Sequence, residues 1–591
     1  MGGIGKTTLA QMVYNDKRVN ELFDVKAWAY VSDDFNSIRI TKSLLESATA
    51  KPCDTMNLEL LQGGLKDTLN KKKFLVVLDD VWNEKLDSWN DLSIPFLVGS
   101  PGSKIIVTTR NEEVISNMNA FPPNFLKEIS DEACWSLFVH HAFGSQMHSD
   151  LIPIGRQIMN KCKGLPLALK TLGRILASRL DTNYWNAILN SNLWEMPPRK
   201  NAILPSLRLS YHHLPSNLKR CFAYCSIFPK GYEFDKKNLV MLWMAEGFVQ
   251  PLGKNSLEEV GEEYFSELLS RSFFQESVQD NNRYVMHDLF NDLAQSVSRK
   301  MCIHLGENWE RGMHENFEKV RHFSCFRSKY DVYRKFESLN EAKWLRTFLP
   351  LASPLGDEFC YLTKKVSCEL LPKFRFLRVL SLSGYCISEL PDSIGNLKHL
   401  RYINLSYTEI KSLPQSLCTQ FNLQTLLLCN CDYLTELPAE MGKLNNLRYL
   451  DIVGSAIQEM PLGLGNLVNL QMLPQFTVGS SGSSIGDLRN LMHLQSSLWI
   501  SRLENVASSW DARRANLHEK RGLKKLVFQW STNSDELIDE KVVTDVLEML
   551  QPNPKLENVK VNNYPGKRFP SSIGDPTFSI LITLTSKASK T

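Results

Sequence analysis

The chain has 591 residues, 43% of them hydrophobic and 22% charged, with a formal net charge of +4. That length calls for several domains, each burying its own core, and so small a net charge gives no electrostatic basis for binding nucleic acid or an anionic membrane. No apolar run is long enough to make an integral membrane segment, the N-terminal residues lack a signal-peptide layout, and the 13 cysteines, odd in number and without C-x-x-C pairs, fit reduced thiols in a cytoplasmic or nuclear setting.

The chain opens with MGGIGKTT, in which Gly5, Lys6 and Thr7 occupy the last three positions of the phosphate-binding pattern G-x-x-x-x-G-K-[ST]. The first glycine of the pattern, and the strand that feeds the loop, fall before Met1. Glycines in such a loop let backbone N–H groups approach phosphate oxygens, and the following helix, predicted over 8–14, adds its N-terminal dipole. Lys6 would reach the β- and γ-phosphates and the Thr7 hydroxyl would ligate Mg²⁺. Apolar runs at 25–31, 74–78 and 104–108 alternate with helical stretches, which predicts buried parallel strands in a βαβ fold. The run FLVVL ends in Asp79 and Asp80. An acid at this point holds Mg²⁺ through water and its neighbour polarises the attacking water, so Asp79 takes the metal role and Asp80 the role of base. The third run ends in Thr108-Thr109-Arg110, where an arginine beside the nucleotide would sense the γ-phosphate; the alternative is a solvated surface residue.

From about 125 to 300 the pattern is helical, with amphipathic stretches at 131–143, 204–214, 238–248 and 257–270 and a Gly/Pro-punctuated junction at Gly164-Leu165-Pro166-Leu167. The spacing predicts two small helical domains. Cys221 and Cys225 stand one helical turn apart, but no matching His or Cys pair follows and their neighbours are apolar, so they read as core. His212 and His213 read as surface or packing residues. A region rich in basic and aromatic residues from about 300 to 370 reads as a linker.

A repeat follows. Leu377-x-x-Leu380-x-Leu382 recurs from Leu400, Leu423 and Leu447 in steps of about 23 or 24 residues, and a Leu-Pro or Met-Pro pair (Leu390-Pro391, Leu413-Pro414, Leu437-Pro438, Met460-Pro461) keeps the same beat. Both fit leucine-rich repeats. Thr408, Cys431 and Ser455 stand three residues after the last strand residue, where small polar side chains satisfy backbone groups between coils; Tyr385 fits that place less well. The exposed strand positions, Arg378, Val379, Ser381, Arg401, Tyr402, Asn404, Arg448, Tyr449 and Asp451, make a candidate recognition stripe on the concave face. The beat loosens after about 475, returns in part at Leu523 and Leu556, and the last residues, 579–591, show neither repeat logic nor a capping unit.

The stretches GGIGKTTLAQ, FDVKAWAYVS, KKFLVVLDDVW, GSKIIVTTR, DEACWSLFVHHAF, CKGLPLALK, CFAYCSIFPKGY, LWMAEGF and VMHDL, followed by the repeats, occur in this order. The set resembles plant nucleotide-binding leucine-rich-repeat (NB-ARC LRR) disease resistance proteins. Trp82, directly after LDDV, resembles the class that carries an N-terminal coiled coil. The resemblance implies a multidomain chain: an incomplete α/β P-loop NTPase domain (1–120), a helical domain (121–200), a winged-helix-like domain (201–300), the linker (301–370) and an α/β solenoid of leucine-rich repeats (371–591). It implies a nucleotide site of Gly3, Gly5, Lys6, Thr7, Thr8, Arg110, Pro166 and His287, with Pro166 on the adenine side and His287 near the β-phosphate of ADP. ADP/ATP and Mg²⁺ would be the cofactors, the metal held by Thr7 and Asp79, with Asp80 catalytic in at most slow hydrolysis. The implied function is an intracellular immune receptor that switches between ADP and ATP forms. Its repeats would bind a pathogen effector or guarded host protein, and it would self-associate on activation. The coiled coil, the first P-loop glycine with its strand, and a terminal cap are missing from the pattern. Unpaired buried backbone groups cost about 1–3 kcal/mol each, so weakened nucleotide binding and folding are expected, and the alternative function is a repeat-only protein-interaction module.

Overall fold

The structure, a computed structural model, describes residues 2–32, 35–53, 55–82, 86–118, 123–144, 146–194, 204–251, 253, 255–277, 280, 282–298, 300–306, 317–353, 359–480, 483–531, 540–566 and 581–585. The chain forms two compact units, one of Met1–Val240, Phe248–His304 and Ser353–Gly356, the other of Met241–Gly247, Leu305–Ala352 and Asp357–Thr591.

The first unit begins with helix α1 (Lys6–Asn15) and a three-stranded parallel sheet of β1 (Val25–Ser32), β2 (Phe74–Val81) and β3 (Lys104–Thr109) in that order. β2 is central, and all eight of its residues are buried, which is why Phe74 to Leu78 is a continuous apolar run rather than an alternating one. The helices Ser37–Thr49 and Leu58–Leu69 pack Ile40, Leu44, Leu65 and Leu69 against Ala27, Ala29, Val76 and Leu78 of the sheet. Among the described residues the outer edge of β3 pairs with no further strand, and Ile105 on it is 36% exposed.

Helices Asp131–Ala142, Ile152–Lys161, Pro166–Ala177 and Thr182–Leu189 enclose a second core around Phe138, Leu169, Leu172 and Trp185. Ser130 accepts from the Ala133 amide to start the first of them and Asp181 from the Tyr184 amide to start the last, both satisfying helix-end donors. A third group joins helices Pro205–His212, Ser216–Tyr224, Leu257–Ser270 and Asp288–Ser298 to a small antiparallel sheet of Phe234–Asp235, Arg283–Val285 and Gln275–Glu276. Cys221 and Cys225 are buried in it, the Cys225 thiol donating to the Cys221 carbonyl. They are core residues, as read.

The second unit is a solenoid whose described strands form sheets of seven, five and two, with parallel pairing from His322–Phe326 onward. Strands Val379–Ser381, Tyr402–Asn404, Thr425–Leu427 and Tyr449–Asp451 carry the recognisable repeats, with Leu380↔Ile403↔Leu426↔Leu450 in register and fully buried. Two expectations are corrected. The stretch read as a linker supplies Cys302–Leu305, His322–Phe326 and Thr347–Leu351 to the same seven-stranded sheet. These coils bury Phe323, Phe348 and Cys325 where the later ones bury leucines, so the leucine pattern conceals them. Likewise Leu581–Thr585, in a tail read as lacking repeat logic, pairs in parallel with Asn558–Asn562; the remainder of that tail lies outside the described residues.

Thr408 and Cys431 are buried and donate to the Leu405 carbonyl at 2.7 and 3.2 Å, and Ser455 donates to the Leu428 carbonyl. Tyr385, the misfit, is accommodated: its ring is fully buried and its hydroxyl donates to Asp331 at 2.5 Å. The concave stripe is only partly open. Val379, Ser381 and Tyr402 are buried, contrary to expectation. The last turn of helix Lys236–Glu246, which groups with this unit, places Glu246 among the strand starts. Its carboxylate accepts from Thr347 Oγ1 at 2.6 Å and lies 3.4 Å from His322 Nδ1, and its carbonyl accepts from Arg378. Burial raises the Glu246 pKa, but His322, Thr347 and Arg378 outweigh it and hold the carboxyl below the usual range.

Candidate functional site

Gly5 precedes α1 with φ +101°, a left-handed conformation that favours glycine. A Cβ built there would meet nothing within 4 Å, so the loop faces open space. No side chain caps α1 and no acid stands in its first turn. The N-terminal amides of such a helix suit an anion. Lys6 and Thr7 are half-buried and Thr8 is exposed.

The Thr7 hydroxyl donates to Asp79 Oδ1 at 3.0 Å, and Thr108 of β3 donates to the same oxygen. Helix start, Asp79 and β3 are thereby tied together. Burial is the main influence on Asp79 and raises its pKa; the two hydroxyl donors oppose that without reversing it. Asp80 follows with φ +58° and is almost fully buried. Its amide donates to Thr108 Oγ1 at 2.9 Å. Its carboxylate accepts from the Trp82 indole N–H at 2.9 Å and lies 3.5 Å from Arg110 Nε. Two cations lie over the Trp82 ring, the Arg110 guanidinium at 4.9 Å and the Lys230 ammonium at 5.4 Å.

Three further segments close on this strand end. Arg110 extends to Asp288 Oδ2 at 3.1 Å, and the Tyr30 hydroxyl, from β1, donates to Asp288 Oδ1 at 2.7 Å. Asp288 is buried and also shares a side-chain hydrogen bond with Asp80. Burial and then Asp80 raise the Asp288 pKa well above the usual range. Asp80 itself is lowered, because the bond from Asp288 and the charge of Arg110 overcome its burial. The opposite directions make Asp288 the carboxyl of the pair that takes up a proton more readily. Helix Pro166–Ala177 starts at the loop: the Leu167 amide donates to the Gly3 carbonyl at 3.2 Å. Lys6 is surrounded by charge; burial and then Arg110 lower its pKa, while Asp80, Asp79 and Asp288 raise it.

Of the residues expected at the site, Gly3, Gly5, Lys6, Thr7, Asp79, Asp80, Arg110 and Pro166 gather around the start of α1. His287 is half-buried and its Nδ1 accepts from the Leu289 amide at 3.1 Å. Burial, then Arg110, lowers its pKa to about 4. Asp288, Tyr30, Thr108 and Lys230 were not anticipated. Asp288 and Tyr30 lie 258 residues apart, so no local spacing announces them, although each sits inside a stretch that carried the resemblance.

The oxygen donors of Thr7 and Asp79 fit Mg²⁺, which keeps several waters and takes one or two protein oxygens together with phosphates. Among the described residues there is no cluster of three or more His, Cys, Asp or Glu that could hold a metal ion. No helix among them is long and apolar enough to cross a membrane.

Residues 1–148 match the NB-ARC domain, 227–294 the disease resistance protein winged helix domain, and 485–589 the R13L1/DRL21 leucine-rich repeats. Disease resistance RPP13-like protein 1 of Arabidopsis thaliana is 46% identical over 599 residues, covering 99% of this chain and 56% of that protein. Disease resistance protein RGA2 of Solanum bulbocastanum is 40% identical over 591 residues, covering 99% of this chain and 57% of that one. The chain thus spans about half the length of the curated relatives it matches.

Proposed function

The chain belongs to the plant disease resistance proteins built from an NB-ARC domain, a winged helix and leucine-rich repeats, and from that premise we propose that it works as a cytoplasmic immune receptor switched by ADP and ATP. The observation that carries the reading is the bridge from Arg110 and Asp80 to Asp288. The strand ends that would face the nucleotide are tied directly to the winged-helix segment.

In this reading the amides at the start of α1 and Lys6 hold the phosphates, Thr7 and Asp79 hold Mg²⁺, and Pro166 and His287 line the pocket. Asp80 is the base for a slow, resetting hydrolysis. While Trp82, Arg110 and Asp288 engage its carboxylate, Asp80 holds the closed form, and it would activate water only in a form that has released those contacts, which suits a hydrolysis that is slow. A ligand that favours a form without the Asp288 contacts would shift the population toward it. The repeats supply the surface for a pathogen effector or guarded host protein, and self-association follows activation.

The test is nucleotide content. The purified chain is denatured and the released ADP and ATP are measured against protein, with Lys6→Ala as control. Near-stoichiometric ADP in the wild type, lost in the variant, supports the switch. Folded protein without nucleotide in either case overturns it in favour of a repeat-bearing interaction module.

A further inference from the structure

Within the solenoid a second pattern runs beside the leucine repeat: Trp344-Leu345-Arg346, Phe376-Leu377-Arg378 and His399-Leu400-Arg401, an aromatic ring, a leucine and an arginine. The next coils read Asn422-Leu423-Gln424, Asn446-Leu447-Arg448 and Asn469-Leu470-Gln471. The leucine is buried in every coil, and the Arg378 and Arg401 amides donate to the Arg346 and Arg378 carbonyls at 2.7 and 2.8 Å, so the coils are in step.

The asparagines have an evident structural purpose. Their side-chain amides donate to the preceding coil, Asn422 to the Lys398 carbonyl at 2.9 Å, Asn446 to Phe421 at 2.7 Å and Asn469 to Asn445 at 2.8 Å. The aromatic residues make no such bond. They stack instead: Trp344 on Phe376 at 4.8 Å and 29°, Phe376 on His399 at 5.8 Å and 15°. The ladder is on the surface, with Trp344 56% and Phe376 40% exposed. Directly before each ring stands an exposed cation, Lys343, Arg375 or Lys398, the last also donating to Thr419 Oγ1 at 3.0 Å. Exposed rings interleaved with cations are typical of interface anchors.

The charge and the stacking together select the partner. A ring carries partial positive charge at its edge. A stack covers faces and leaves edges outward, so edges and cations present one sign. Behind them Arg346, Arg378 and Arg401 stand half-buried in successive coils and add positive charge to this face, offset in part by Glu246 beside Arg378. Nucleobases bind by stacking on free ring faces, and Phe376 has a ring on both sides.

We propose that Trp344, Phe376 and His399 with Lys343, Arg375 and Lys398 form a docking stripe for an extended acidic segment of a partner protein. Its carboxylates lie over the cations and ring edges, and an apolar side chain lies against Trp344. Adjacent coils stand about 4.8 Å apart and an extended chain advances about 3.4 Å per residue, so a segment of about four residues with alternate acids spans the three coils. The stripe does not depend on the nucleotide reading.

Fluorescence anisotropy of the full chain with a labelled Asp/Glu-rich peptide carrying two phenylalanines tests this at low salt. The expected result is saturable binding, weakened about tenfold or more by Trp344→Ser with Phe376→Ser and equally by Lys343→Glu with Arg375→Glu. Binding should be unchanged by Lys71→Glu with Lys72→Glu, while circular dichroism confirms folding of each variant. No binding by the folded wild type, or equal loss in the Lys71/Lys72 variant, overturns the proposal. So does tighter binding of a single-stranded oligouridine at the same stripe, which would make it a nucleic-acid site.

Discussion

Lys520 is fully buried in the solenoid, its ammonium donating to the Leu488 and Leu491 carbonyls at 2.7 and 2.9 Å. It stands three residues before a strand leucine, where other coils place Leu397, Leu444, Leu467 or Leu491 and one places Gln420. Two neutral acceptors do not replace the lost hydration of a cation, and burial lowers its pKa to about 8. The unfolded chain holds that proton up to about 10.5, so between pH 8 and 10.5 the unfolded state binds more protons and stability contributed by this group rises with pH. At neutral pH the lysine is a cost. Lys520→Leu, which restores the apolar choice of the other coils, should therefore stabilise the protein by about 2 kcal/mol at pH 7. The advantage should shrink toward pH 10. Denaturant melts of wild type and variant across that range measure it, and a variant less stable than wild type at pH 7 would show that the two carbonyls need the ammonium more than the core needs a leucine.

At the level of elements, helix glycines make a second prediction. A Cβ on Gly173, in helix Pro166–Ala177, would meet His141 Cβ at 2.8 Å, and no flexible side-chain end can yield there. A Cβ on Gly63, in helix Leu58–Leu69, would meet nothing within 4 Å. Gly63→Ala should stabilise by about 0.5–1 kcal/mol through helix propensity alone. Gly173→Ala should destabilise by about 1–2 kcal/mol, because overpacking exceeds the same gain. Opposite shifts in thermal midpoint check the pair. The sequence could not distinguish them, since what differs is the neighbouring helix. The same limit explains what was legible elsewhere. β2 was readable because both faces are buried and its apolar run is unbroken. The leucine coils were readable because one residue type recurs at one spacing. The coils at His322–Phe326 and Thr347–Leu351 do the same work with phenylalanine and cysteine, and Tyr385 replaces a small residue by reaching Asp331 in an earlier coil. The site followed the same rule. Lys6, Thr7, Asp79 and Asp80 sit in local patterns, whereas Tyr30, Lys230 and Asp288 acquire their partners only when distant segments meet.

Across the first unit those distant meetings converge on Asp288, which joins Tyr30 of β1, Arg110 at the end of β3 and Asp80 at the end of β2. Two neighbouring buried carboxyls cannot both ionise without strong repulsion, and here Arg110 stabilises the charge on Asp80 while burial and Asp80 keep the proton on Asp288. Asparagine imitates that protonated acid toward Asp80, to which its amide N–H can donate, and toward Tyr30, from which its carbonyl can accept; it gives up the Arg110 contact at Oδ2, while Arg110 keeps its pairing with Asp80. Asp288→Asn should therefore change stability by less than about 1 kcal/mol at pH 7, whereas Asp288→Ala, which leaves Tyr30 and Arg110 without their partner, should cost about 2–4 kcal/mol. The pH dependence separates this account from simple packing. A carboxyl whose folded pKa is raised binds its proton more tightly in the native state, so its contribution falls as pH rises from the ordinary 3.8 through the folded value. Wild type should then lose stability relative to Asp288→Asn as the solution moves from acid toward neutral. Calorimetric melts of the three proteins over that range measure the difference. If Asp288→Asn proves as damaging as Asp288→Ala, Asp288 is ionised, and the contact between these segments is an Arg110 ion pair rather than a shared proton.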